Sequence, residues 1–159
     1  MSIFVKSTPA PAPRTSESAK VSLLYAAILV IFAVAQLFTF EEFVVYMQSV
    51  NLPFSDGVNY AVAPLLVVAE VFALPFLLRM RLSPAFRYLS MILSCLAAFM
   101  WIFLALRIVL SDNATNSIGF LGTLVTLTPG YWAIFISLSL GILAVWSAYG
   151  LWPGKRATK

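Results

Sequence analysis

Four long apolar stretches, with nearly all the basic residues on one side of them, constrain this chain more than any other feature. They cover about 21–40, 60–78, 86–110 and 131–152. A helix of roughly 20 residues rises about 30 Å, the thickness of a bilayer's hydrocarbon core. None of the stretches alternates with the period of two that a barrel strand requires. Hydrophobic residues make up 62% of the chain and charged ones 10%, with a mean hydropathy of +0.96. Soluble domains are about half apolar and about a quarter charged, so this surplus needs lipid as its solvent. The fold class that follows is an all-α membrane protein, an antiparallel bundle of four transmembrane helices.

Charge sets the orientation. Lys6, Arg14 and Lys20 precede the first span; Arg79, Arg81 and Arg87 lie between the second and third; Lys155, Arg156 and Lys159 follow the fourth. Nine of the ten basic residues thus share a side, while Glu41, Glu42, Asp56 and Asp112 face the other with Arg107. Positive connections stay in the cytoplasm, so both termini are expected there. The net charge of +4 is explained by these flanks, and no basic groove for nucleic acid is legible. Tyr60, Tyr131, Trp132, Tyr149 and Trp152 fall near span ends, as an aromatic belt requires.

Three domains follow. Residues 1–20 read as a disordered cytoplasmic tail, because Pro9, Pro11 and Pro13 alternate with alanine and favour an extended chain. Its spread-out basic residues and the full-length span after it do not fit a secretory signal. Residues 21–152 form the transmembrane domain, and 153–159 a second cytoplasmic tail. After the first span, Phe40, Phe43, Val44 and Met47 recur at helical spacing, predicting a short interfacial helix ended by Asn51-Leu52-Pro53. The loop from about 111 to 130 carries apolar Ile118 and Phe120, which should fold it back onto the bundle; Asn113-Ala114-Thr115 matches a glycosylation acceptor. Pro75, deep in the second span, should kink it. Small residues spaced by four (Ser90, Ser94 and Ala98; Ser137 and Gly141) predict close helix contacts.

Missing residues narrow the chemistry. The chain has no histidine and one cysteine, Cys95. That removes the usual haem and zinc ligand and any internal dithiol, so no cofactor is expected on the chain's own side chains. Contact with quinone or lipid stays open. No metal site, no nucleophile with its base, and no nucleotide-binding glycine loop is legible, so the chain does not read as an enzyme.

Glu70 is the sharpest candidate. It lies mid-span in PLLVVAEVFALP, where a carboxyl costs at least a few kcal/mol unless paired, neutralised or hydrated. A proton-relay, quinone-contact or ligand-binding role and a purely structural one both fit. Arg107 is the nearest cation by sequence, roughly 5 Å inside the outer end of span three against about 15 Å for Glu70. Arg107 could instead snorkel to Glu41 or Glu42. The expected site is a polar cluster of Gln36, Glu70 and Arg107, with Glu41 or Glu42 at its edge.

The segment FTFEEFVVYMQSVNLP, followed by APLLVVAEVFALPFLL with Glu70 inside it, resembles the DoxX/MauE family of small four-span membrane proteins. The likeness covers about residues 22–110 by motif. It implies a small subunit attached to quinone-linked oxidoreductases or to the maturation of periplasmic redox enzymes, in a bacterial inner membrane. MauE-type members carry paired cysteines after the third span, where this chain reads SDNATNSIGFLG. The expected function is therefore a non-catalytic accessory subunit of a larger redox or energy-transducing complex, with electron transport as its setting. Its partners would be the bilayer and other subunits. The alternative is a small-molecule carrier or ligand-binding protein that uses Glu70.

Overall fold

The computed structural model describes residues 8–50, 52, 56–110, 118–125, 127–128 and 130–152. The 113–115 acceptor, Asn51, Pro53 and the 153–159 tail lie outside them. Five helices follow in order: α1 Ser16–Phe38, α2 Phe40–Ser49, α3 Asp56–Leu77, α4 Pro84–Leu110 and α5 Tyr131–Gly150. Four of them, all but α2, are long and apolar enough to cross a membrane, consistent with a multi-pass membrane protein.

Local chemistry sets the boundaries. The Thr15 hydroxyl accepts from the Ser18 amide at 3.1 Å, and the Ser18 hydroxyl accepts from the Thr15 amide at 3.3 Å. This reciprocal cap starts α1 at Ser16 and satisfies two orphan donors. Helix therefore begins about five residues earlier than the first span was drawn from sequence. Ser83 caps α4 by accepting from the Phe86 amide, and Pro84 occupies the first helical position, where its missing N–H is harmless. Beyond α3, Arg79 takes a left-handed φ of 57°. The Met80 amide then donates to Pro75 O and the Arg79 amide to Phe76 O. These are the two bonds of a Schellman ending, built here on arginine where glycine is usual.

Pro75 removes one amide from α3, and at the next rung of the ladder, Phe72 to Phe76, a neighbouring helix intervenes. The Ser90 hydroxyl of α4 donates to Phe72 O at 2.6 Å and accepts from the Phe76 amide at 3.1 Å. One hydroxyl is thus stitched into the α3 ladder beside the proline.

The long helices pack in a ring, α1 on α3, α3 on α4, α4 on α5 and α5 back on α1, with α2 laid against α3. Ser90, Ser94, Ala98 and Ser137 are buried in these contacts, and Gly141 faces Ile102 closely, as the small-residue spacing predicts. Tyr25, Leu29, Leu66, Trp101 and Leu104 fill the centre. Phe43 and Met47 bury the apolar face of α2 while Glu41 and Glu42 remain exposed.

One end of the ring is basic. Arg87, buried there, donates to Thr8 O at 2.8 Å and Pro9 O at 3.2 Å, and the Thr8 amide donates to Leu82 O. The Arg14 amide donates to Gly150 O, and its guanidinium stacks 4.0 Å above the Tyr149 ring. Residues 8–15, assigned to a tail from sequence, thus cross the helix ends, and residues 16–20 are helical. Arg87 explains the docking: a buried guanidinium needs acceptors, and backbone carbonyls of a proline-containing segment, short of amide donors, provide them.

Candidate functional site

Deeper in the bundle, away from the basic end, α1, α3 and α4 converge on Glu70, which is fully buried. Trp101 of α4 donates its indole N–H to Glu70 Oε1 at 2.7 Å, and Gln36 of α1 donates Nε2 to the same oxygen at 3.3 Å. One carboxyl thereby ties three helices together. Gln36 Nε2 also approaches Phe120 O at 3.4 Å, bringing in the loop before α5.

Phe120 closes the site. Its ring lies 4.7 Å from Trp101 and 5.5 Å from Phe32, stacked on the latter, and 6.3 Å from Trp132. Phe32 in turn meets Trp101 edge-on at 5.8 Å. Four aromatic rings thus pack into one cluster beside the Trp101–Glu70 pair, with the offset and edge-to-face contacts within about 7 Å that such rings favour.

The loop is held in place at its own base. The Ile118 amide donates to Leu127 O, closing the turn, and Ile118 and Phe120 are buried. Thr39, at the break between α1 and α2, accepts from the Thr123 amide at 3.2 Å. Gly122 sits against this break with φ of 59°, where a Cβ would lie 2.5 Å from the Thr39 hydroxyl. The Thr123 hydroxyl donates to Glu42 Oε2. The fold-back expected of this loop is seen in its described residues, with Ile118 and Phe120 buried and Phe120 O beside Gln36.

Of the expected cluster, Gln36 and Glu70 come together, whereas Arg107 does not join them. It lines a separate cavity of about 220 Å³ with Phe103, Leu106 and Leu110. Glu41 is exposed and Glu42 serves the loop, so neither reaches the centre. The cluster expected around a cation is built around the Trp101 indole instead. Position along α4 decides this: Trp101 lies nine residues from its Leu110 end, about 14 Å, where it reaches Glu70, while Arg107 is only three residues from that end. An indole N–H at that depth must find an acceptor, and that signal was available in the sequence.

Two acceptors remain open. Glu70 Oε2 and Gln36 Oε1 are buried and make no hydrogen bond among the described residues. Near the middle of the bundle, the Tyr25 hydroxyl donates to Ser94 O at 2.8 Å, linking α1 to α4 apart from Glu70. Among the described residues no group of three or more His, Cys, Asp or Glu could hold a metal ion. In comparisons with known proteins, no family model, curated protein or solved structure matches this chain.

Proposed function

We propose that this chain is a non-catalytic, DoxX-like accessory subunit of a larger redox or energy-transducing complex in a bacterial inner membrane. In this reading it is an antiparallel four-span bundle with both termini in the cytoplasm and α2 lying in the outer interface. The main support is that Glu70, the one carboxyl at mid-span depth, is used inward. Its Oε1 is shared by Trp101 and Gln36 beneath the Phe120 lid. A carboxyl so engaged holds helices in register and leaves the apolar outer faces of α1 and α5 for partners. Extraction in mild detergent followed by native mass analysis tests this. Co-migration with a cytochrome-containing or quinone-reactive complex is the expected result; a lone monomer carrying a small molecule overturns it.

The open Oε2 of Glu70 and Oε1 of Gln36 favour a second reading, a carrier or binding protein for a small hydrogen-bond donor. It requires binding or transport that vanishes in Glu70→Gln while the fold persists.

A further inference from the structure

A second feature, whose lining does not include Glu70, lies on the outer surface and opens at the basic end. Along α5, bordered by Ile102 of α4 and by Arg14, Thr15 and Ser18, runs an apolar groove of about 800 Å³. Its floor and walls are Ile102, Leu138, Gly141, Ile142 and Val145, and Trp146 and Tyr149 continue it to the basic end. Gly141 lies at its floor against Ile102, where a Cβ would come within 2.9 Å of the Ile102 tip. The mouth is different in character. Arg14, Thr15 and Ser18 line it, and Arg14 is the one charged residue of the lining. Stacking on Tyr149 holds that guanidinium over the groove entrance.

Dimensions and charge together name the occupant. From Gly150 to Leu138 is twelve residues, about 18 Å of helix, against a hydrocarbon core of roughly 30 Å. The groove is therefore about one leaflet deep, beginning at a cation and ending near the midplane. A molecule matching it has a long apolar tail and an anionic head at the level of the basic helix ends. We propose that the groove is a binding site for one anionic phospholipid, with its phosphate at Arg14 and an acyl chain laid along α5 to Leu138. Guanidinium suits phosphate by charge and by its fork of donors. The leaflet on that side is the cytoplasmic one in the orientation proposed above, where anionic lipids concentrate and the remaining flanking cations add attraction. A second copy of the chain fits less well: inserted in the same orientation, it would bring its own basic end to the same mouth, like charge against like.

The test uses the full chain reconstituted with phosphatidylglycerol or phosphatidylcholine of identical acyl chains, followed by native mass spectrometry and lipid quenching. Wild type should retain one phosphatidylglycerol at least several-fold more than phosphatidylcholine. Arg14→Ala should abolish that preference and Arg14→Lys should keep part of it. Gly141→Leu, which fills the groove, should lower retention of both lipids. Brominated phosphatidylglycerol, added as a minor component, should quench a fluorescence component that Trp146→Phe removes. Thermal melts of each variant verify folding, and the quenching series on wild type needs no variant at the mouth. Equal retention of the two lipids, an Arg14→Ala variant that keeps the preference, or a dimer that Gly141→Leu dissociates would each overturn the proposal.

Discussion

Glu70 and Trp101 illustrate how one buried acceptor organises its surroundings. Removing a donor from a buried acceptor costs about 1–3 kcal/mol, because desolvation is no longer compensated. Trp101→Phe keeps an aromatic ring but removes the indole N–H and leaves a void at a fully buried position, so a stability loss of at least about 1–3 kcal/mol is expected in mixed-micelle denaturation. In a Glu70→Leu background the same change should cost distinctly less. Equal costs in both backgrounds would show that the 2.7 Å bond contributes nothing of its own. Gly122 makes a second residue-level case. Its left-handed backbone and the nearby Thr39 hydroxyl leave no room for a methyl group, so Gly122→Ala should cost roughly 1–2 kcal/mol and expose the lid to protease. Gly141→Ala, facing only the mobile tip of Ile102, should be close to neutral in the same assay.

Among the elements, α3 depends most on a neighbour. Pro75 interrupts its own hydrogen bonding, and the Ser90 hydroxyl joins the ladder at Phe72 and Phe76. Ser90→Ala should lower the stability of the bundle by about 1–3 kcal/mol and speed hydrogen exchange at the Phe76 amide. Ser139→Ala is the control: that hydroxyl donates only to Phe135 O on its own helix, and a change within about 0.5 kcal/mol is expected. Similar losses for the two variants would argue against a special role for Ser90. The proline and the small-residue spacing were both readable along the chain. That Ser90 of one helix would meet Pro75 of another was not, since spacing within a helix does not specify the rotation of its neighbour.

For the whole molecule, the distribution of charge makes a claim that surface labelling can check. In a Cys95→Ser background, a single cysteine at exposed Leu124 should react with a membrane-impermeant maleimide added from the periplasmic side, and one at exposed Ala85 should not. The reverse pattern would invert the proposed orientation and with it the leaflet assigned to the groove. The four apolar helices, the fold-back of the loop and the depth of Glu70 all follow from composition and length, because hydrocarbon punishes any other arrangement of these residues. Partner choice follows different physics. Whether Ser90 meets the Pro75 break, and whether residues 8–15 trail into water or settle on Arg87, depends on distances of a few ångströms between elements far apart in the chain. Those distances arise only when the ring of helices closes. Solvent preference is a local property of each stretch, whereas the pairing of buried polar groups is a collective one.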